Sequence, residues 1–133
     1  KQLYCQSMDI NLTTVAEGEA LDFMDPIDIS TLFGNILDNA IESVSKIEDK
    51  EKRLIHLAVV KNKDFLRIRV ENCFEGQLVY KNGLPQTTKD DKNYHGYGLK
   101  SIQKTVQRYN GSVTLQDENG WFEIRILIPY ENV

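Results

Sequence analysis

Two asparagines four residues apart, Asn35 and Asn39, have a spacing that suits chemistry. On an α-helix, residues four apart project in nearly the same direction. Asparagine is a poor helix former because its side chain competes for the backbone, so a pair in mid-helix indicates a specific use. Beside Asp38, these amide oxygens can ligate a Mg²⁺ ion that already carries phosphate groups. The alternative interpretation is that both amides are only hydrated groups on a helix surface.

A pair of glycines marks a second candidate, residues 95–99, with the sequence His-Gly-Tyr-Gly-Leu. Glycine allows the backbone to approach a ligand closely, and the free N–H groups of a helix's first turn bind anions. The segment matches neither the P-loop pattern nor GxGxxG. A loop that needs glycine for a positive φ explains it equally well.

A third candidate follows a predicted strand, at residues 71–76, with the sequence Glu-Asn-Cys-Phe-Glu-Gly. A polar side chain where a strand ends, such as Asn72, is well placed to hydrogen-bond a flat heterocycle in a cleft. Ordinary turn chemistry is the alternative interpretation.

A long helix must position the two asparagines. The run Asp25-Pro26-Ile27-Asp28 supplies an N-cap acid, a proline at the first helical position and an acid in the first turn. We predict a helix from here to about Lys46. Its apolar face comprises Ile29, Leu32, Phe33, Ile36, Leu37, Ala40 and Val44. Its polar face comprises Thr31, Asn35, Asp38, Asn39, Glu42 and Lys46.

The remaining elements are predicted from hydrophobic period. Residues 3–12 fit an edge strand, and residues 13–23 fit either a short helix or a loop. A second helix is predicted to open at Gly98 and to stop at Asn110-Gly111. Two hairpins are predicted from alternating residues, at 54–60 with 66–70 and at 113–115 with 122–128, the latter joined through residues 118–120.

Between the first hairpin and the second helix lies an irregular stretch of more than twenty residues, about 73–95. Such long connections inside a domain are usually lids, binding loops or linkers, and its place between ordered elements favours a lid. The order of elements predicts one α+β domain over residues 1–133. Its architecture is a two-layer sandwich with helices on one face of a mainly antiparallel sheet.

Composition argues against several classes of function. The 133 residues carry 16 basic and 20 acidic side chains, a net charge of −4, which argues against nucleic acid as a partner. No run approaches the roughly 20 apolar residues of a membrane span. Cys5 and Cys73 lie far apart without metal-ligand spacing, which favours a reducing compartment. The chain does not begin with Met, which suggests a domain taken from a larger protein.

The three candidates occur in an order that resembles the GHKL superfamily of ATP-binding domains. The markers are residues 35–40 (Asn-Ile-Leu-Asp-Asn-Ala), 72–76 (Asn-Cys-Phe-Glu-Gly) and 96–99 (Gly-Tyr-Gly-Leu). Within the superfamily, the chain looks most like the catalytic domain of sensor histidine kinases of the quorum-sensing, accessory-gene-regulator type. This resemblance implies a sandwich with a mixed or antiparallel sheet, about three helices on one face, and ATP held under a mobile lid.

The resemblance also implies roles for individual residues. Asn39 corresponds to the amide that binds Mg²⁺, and Asn35 to its neighbour close to the phosphates, so these two are the candidate catalytic residues. Asn72 stands where the family usually has an aspartate that pairs with the adenine amino group. The remaining cofactor-binding candidates are Gly76, Gly96, Gly98, Leu99 and Lys100.

Three departures from the family's pattern are visible. Asn72 can accept a hydrogen bond from adenine but brings no charge. Phe74 replaces a glycine and is expected to put an aromatic ring near the base. Glu42 stands where many members have a lysine; Lys46 or a lysine of the lid, Lys89 or Lys92, is a substitute cation.

These observations predict a module that presents the γ-phosphate of Mg·ATP to a histidine on a separate dimerisation domain, with a response regulator downstream. His56 falls in a strand and His95 in the glycine segment, so neither is a candidate phosphoacceptor. The predicted location is cytoplasmic, in a membrane-anchored sensor, without membrane or nucleic-acid contact by this domain. A hydrolytic ATPase, an anti-sigma serine kinase and a non-catalytic interaction domain are the alternatives.

Overall fold

The structure is a computed structural model that describes residues 2–74, 79–81, 84–86 and 92–130. Within these residues there are three α-helices: α1 (Gln2–Ser7), α2 (Pro26–Ser45) and α3 (Lys92–Arg108). Short 3₁₀ helices occupy Gly18–Leu21 and Lys50–Lys52. The strands are β1 (Asn11–Ala16), β2 (Leu54–Asn62), β3 (Phe65–Cys73), β4 (Val79–Lys81), β5 (Leu84–Gln86), β6 (Ser112–Glu118) and β7 (Trp121–Pro129).

The main sheet has five strands in the order β1-β2-β3-β7-β6. β1 runs parallel to β2 and the other pairs are antiparallel, so the sheet is mixed and mainly antiparallel, as predicted. α2 packs on β2 and β3, and α3 packs on α2 and β6. The predicted α+β sandwich is confirmed, and β4 and β5 form a separate antiparallel pair.

The core lies between the helices and the inner face of the sheet. Each strand contributes alternate residues to it, because side chains on a strand point to opposite faces. From the strands it takes Ile55, Leu57, Val59, Leu66, Ile68, Val70, Phe122, Ile124, Ile126 and Ile128. From α2 and α3 it takes Leu32, Ile36, Ala40, Ile41, Val44, Leu99, Ile102 and Val106.

The predicted start and end of the long helix are confirmed. Asp25 is the N-cap, and its carboxylate accepts a hydrogen bond of 2.8 Å from the backbone N–H of Ile27. Pro26 occupies the first turn, where a missing N–H costs nothing. The helix ends with Lys46 as its C-cap.

The predicted end of the second helix and the predicted turn of the second hairpin are also confirmed. Asn110 has a φ of 61° after α3, and the Gly111 N–H donates to the Val106 carbonyl oxygen at 3.0 Å, which is the Schellman arrangement. Between β6 and β7, Asn119 and Gly120 have φ values of 52° and 80°. Positive φ at both central residues is the hairpin geometry that Asn-Gly favours.

The prediction for residues 3–12 is wrong in its first half. Residues 2–7 form α1, which buries Cys5 in the core, and Met8 packs against the core just after the helix. Asp9, with a φ of 58°, ends that turn, and the edge strand β1 begins only at Asn11. Most of β1 is exposed, so its sequence lacks the alternation of apolar and polar residues that indicates a half-buried strand.

The predicted start of the second helix is also wrong. α3 begins at Lys92 rather than at Gly98, so Gly96 and Gly98 lie inside the helix. A glycine inside a helix costs about 1 kcal/mol, which packing against a neighbouring helix can offset. The predicted loop at about 73–95 falls partly outside the described residues. In its described part it contains β4, β5 and the start of α3.

Candidate functional site

Asn39 is a buried amide on the inner side of α2. Its side chain is only 6% exposed, and it lies three residues after the fully buried Ile36, about 60° around the helix. The predicted position on the polar face is therefore wrong. Its amide makes no hydrogen bond to any described residue. The amide oxygen and nitrogen are therefore not occupied by any described residue and can bind a ligand.

Asn35 lies one turn earlier, at the contact between α2 and α3. Its Nδ2 donates a hydrogen bond to Ser101 Oγ at 3.0 Å. Its Oδ1 faces Gly98 on the same helix as Ser101: a Cβ added there would lie 4.0 Å from this oxygen. The structure therefore brings the first asparagine and the glycine segment together, as the prediction required.

Ser101 was not a predicted site residue. Its position three residues after Gly98, on the same side of a helix, was the available sequence indication. The contact itself joins residues 66 positions apart, so it depends on how α2 and α3 cross.

The other residues of the glycine segment differ in placement. The Leu99 side chain is 2% exposed and belongs to the core, so only its backbone is available to a ligand. Lys100 is exposed. Gly96 lies in α3, and Gly76 lies outside the described residues. At Gly98, packing does not require glycine, because an added Cβ would make only ordinary contacts.

Asn72 lies near the end of β3 and points toward the helices, like the core residue Val70 two positions earlier. It is 2% exposed, between Ile55 of β2 and Phe122 of β7. Its Nδ2 donates to the Cys73 carbonyl oxygen at 2.9 Å. Since only the amide nitrogen can make that bond, Oδ1 is the end left to accept a hydrogen bond from a ligand.

Phe74 follows directly. Its backbone N–H donates to the Gly120 carbonyl oxygen at 2.9 Å, and its ring packs edge-on against the Phe122 ring, with centroids 6.4 Å apart. Between Asn72 and Phe74, the Cys73 thiol is a free cysteine whose pKa is raised by partial burial. A thiol with a raised pKa is a weak nucleophile at neutral pH.

In the first turn of α2, Asp28 binds two residues at the end of α3. It accepts a hydrogen bond from Tyr109 Oη at 2.5 Å and pairs with the Arg108 guanidinium. Burial, together with this hydrogen bond, raises the pKa of Tyr109. The contact joins α2 to the end of α3, the same two helices that the bond between Asn35 and Ser101 links.

The chemistry of the site follows from its neutral amides. Asn35, Asn39 and Asn72 offer hydrogen-bond donors and hard oxygen acceptors but no group that takes up a proton. In the described part of the chain, no three His, Cys, Asp or Glu residues come together to hold a metal by themselves. The arrangement can bind and orient a polar ligand, and it can complete the shell of a cation that the ligand brings.

An open cavity of about 620 Å³ lies elsewhere, between α1, the start of β1 and the 3₁₀ helix Lys50–Lys52. The Asp9 carboxylate and Lys50 Nζ, 2.9 Å apart, pair at its surface, and this pairing lowers the pKa of Asp9. None of the candidate site residues lines this cavity, so it is not part of the site.

No helix among the described residues is long and apolar enough to cross a lipid bilayer.

Comparison with known proteins identifies the family. A sequence model of the GHKL domain matches residues 24–129, which is most of the chain. The chain belongs to the GHKL domain family.

Its relatives include a probable C4-dicarboxylate sensor kinase of Halalkalibacterium halodurans, 30% identical over 97 residues and 68% of this chain. The sensor histidine kinase DpiB of Escherichia coli is 28% identical over 102 residues, or 72% of this chain. The chain spans 18% of the length of each of these two relatives.

Solved structures confirm the architecture. The catalytic domain of the histidine kinase ThkA superposes with a TM-score of 0.71 at 18% identity, over 97% of this chain and 84% of that one. The Acinetobacter baumannii histidine kinase AdeS gives 0.66 at 13% identity, over 96% of this chain and 58% of that one. The fold is that of the catalytic domains of histidine kinases.

Proposed function

We propose that this domain binds Mg·ATP and is the catalytic module of a sensor histidine kinase. The observation that carries the proposal is the Asn39 amide, buried on the inner side of α2 and without a hydrogen-bond partner among the described residues. An amide at this position can offer its oxygen to a ligand and its nitrogen as a hydrogen-bond donor. The GHKL family and the sensor-kinase relatives support the same function.

The donor set at this position fits Mg²⁺. The carbonyl oxygen of the Asn39 amide is a hard ligand, and magnesium takes few protein ligands when phosphates and waters complete its shell. Asn39 would hold the ion, with Asn35 one turn away beside the phosphates. The metal supplies neutralisation of the charge on the phosphate groups.

The base end of the nucleotide is assigned to Asn72. Its Oδ1 is the free end of a fixed amide, and an acceptor there suits the amino group of adenine. The backbone of Gly96, Gly98 and Leu99, with the exposed side chain of Lys100, is assigned to the phosphates. Packing does not account for Gly98, which supports a role in ligand contact. Gly76 and the lid at about 73–95 complete the proposed site.

Phosphoryl transfer requires a histidine outside this chain. His56 lies on β2 with its Nδ1 3.1 Å from Glu71 Oε1, on the face of the sheet away from the asparagines. The module would therefore act by positioning ATP for a phosphoacceptor histidine on a dimerisation domain of the same protein. Water activation at Asn35 has no support, because an amide is not a general base.

The proposal extends to the whole protein. We place this domain on the cytoplasmic side of a membrane-anchored sensor, with a response regulator as the downstream partner and no contact with nucleic acid or lipid by the domain itself. The finer assignment to the quorum-sensing, accessory-gene-regulator type rests on the marker residues 35–40, 72–76 and 96–99.

Thermal unfolding of the 133-residue chain tests nucleotide binding. ATP at about 100 times its dissociation constant adds about 2.7 kcal/mol of stability, so the midpoint should rise by several degrees with Mg²⁺ present. Asn39→Ala should remove the magnesium-dependent part of this rise. Asn11→Ala, at an exposed site on β1, is the control and should leave it unchanged.

The outcome separates the alternatives. Absence of any shift with Mg·ATP would favour a non-catalytic interaction domain. Steady phosphate release by the isolated chain would favour a hydrolytic ATPase. Nucleotide binding with transfer to serine of a partner protein, and none to histidine, would favour an anti-sigma kinase.

A further inference from the structure

Phe74 stands where the GHKL resemblance leads one to expect a glycine. The residue is partly exposed and packs at the border of the hydrophobic core. Its position is well fixed, since its N–H donates to the Gly120 carbonyl oxygen and its ring contacts Phe122 edge-on at an interplanar angle of 82°.

Phe74 lies on the same side of the sheet as Asn72. Residues two apart on an extended strand point to one face, and Asn72 points toward the helices. Phe122 is the register partner of Asn72 and also touches the Phe74 ring. The amide acceptor and the two aromatic rings therefore form one cluster at this end of the sheet.

We propose that Phe74 is a base-contacting residue, whose ring forms an apolar wall against the nucleobase that Asn72 recognises. The inference rests on the proposed nucleotide site and adds to it a source of affinity that this chain supplies itself. A neutral amide at position 72 gives a weaker hydrogen bond than a carboxylate would. Contact between an aromatic ring and a base compensates for that loss without any charge.

The packing of the Phe74 ring suits this role. The edge-on contact with Phe122 involves one side of the ring, and the ring remains partly exposed, so part of its surface is open to a ligand. Because the backbone of Phe74 is hydrogen-bonded and its ring is held by Phe122, little conformational freedom is lost when a base binds.

Isothermal titration of the 133-residue chain with Mg·ATP and Mg·ADP tests the inference. Phe74→Leu keeps an apolar side chain but removes the flat ring. It should lower the affinity for both nucleotides by the same factor, about tenfold, because both carry the base. Phe74→Tyr keeps the ring and should bind nearly as well as the unsubstituted chain. Phe23→Leu removes a partly exposed aromatic side chain packed on Tyr109 and Tyr130, and should change neither affinity.

The midpoint of thermal unfolding without nucleotide separates binding from packing. A merely structural Phe74 would lower that midpoint on substitution by Leu while leaving the affinity of the folded protein intact, and this result would overturn the inference. A loss confined to ATP, with ADP unchanged, would also overturn it. If the unsubstituted chain binds neither nucleotide, the proposed function itself fails, which is a different outcome from binding that ignores position 74.

Discussion

The Asn35 side-chain nitrogen donates a hydrogen bond to Ser101 Oγ at 3.0 Å, linking the middle of α2 to α3 one turn beyond Gly98. The bond uses the nitrogen end of the amide and leaves Oδ1 on the side of the glycine. Ser101 therefore determines which end of Asn35 is free for a ligand.

Ser101→Ala should lower both stability and nucleotide affinity. The variant leaves a partly buried amide N–H without its partner, and the expected loss is about 1 kcal/mol of unfolding free energy. Affinity for Mg·ATP should also fall, because Asn35 is then free to rotate, and by less than in Asn35→Ala. Urea titration and calorimetry measure the two effects. Ser30→Ala, exposed on α2, is the control, and equal behaviour of the two serine variants would contradict the prediction.

Asn39→Ala should raise the stability of the nucleotide-free protein while abolishing magnesium-dependent binding. It removes an amide that makes no hydrogen bond to a described residue and introduces the best helix former, a gain of about 0.5 kcal/mol. Urea unfolding without nucleotide gives the first effect and the shift with Mg·ATP gives the second. A variant that loses stability as well as binding would show that the amide has a structural role.

Tyr109 should make the protein less stable at alkaline pH. Burial, followed by the hydrogen bond to Asp28, raises the pKa of Tyr109 in the folded protein, whereas a tyrosine in the unfolded chain titrates at about pH 10. Above that pH the unfolded state loses its proton first, so the free energy of unfolding falls as pH rises.

Tyr109→Phe should reduce this fall and lower stability at pH 7 by about 1 kcal/mol through loss of the hydrogen bond. Part of the alkaline decline should remain, because burial also raises the pKa of Tyr130. Denaturant midpoints between pH 7 and pH 11 provide the measurement. An unchanged slope in the variant would mean that Tyr109 does not contribute.

Two glycines should respond to alanine in opposite directions. At Gly111 an added Cβ would lie 2.6 Å from the Leu127 carbonyl oxygen and 2.8 Å from Ile128 Cγ1, so Gly111→Ala should destabilise by about 1–3 kcal/mol. At Gly34, inside α2, nothing lies within 4 Å, and Gly34→Ala should stabilise by up to about 1 kcal/mol. Thermal midpoints of the two variants on the same side of the unsubstituted protein would contradict this prediction.

Local sequence predicts the elements whose ends are fixed by local chemistry. The start of α2 follows from Asp25 and Pro26, and the β6–β7 turn follows from Asn119 and Gly120. α1 was missed because a six-residue helix stabilised by burial of Cys5 leaves little periodic pattern. The start of α3 was misplaced because its glycines indicate a break that the rest of the fold overrides.

The candidate site, like the fold, could be predicted from local sequence only in part. The spacing of Asn35 and Asn39 identifies them as a pair, but not that Asn39 is the buried one, since both lie at the border of the apolar face. The partner of Asn35 depends on the crossing of two helices distant in sequence. Such contacts are set by tertiary packing, which no local pattern encodes.

The register of β3 links ligand recognition to completion of the sheet. Asn72 takes one neighbour from β2, close in sequence, and the other from β7, whose Phe122 is fifty positions further along the chain. The amide acquires its surroundings only when the last strand inserts, so we expect that the proposed adenine subsite cannot form in a shortened chain or a partly folded intermediate. If Asn72 binds the base as proposed, substitutions that loosen β7 should therefore reduce nucleotide affinity.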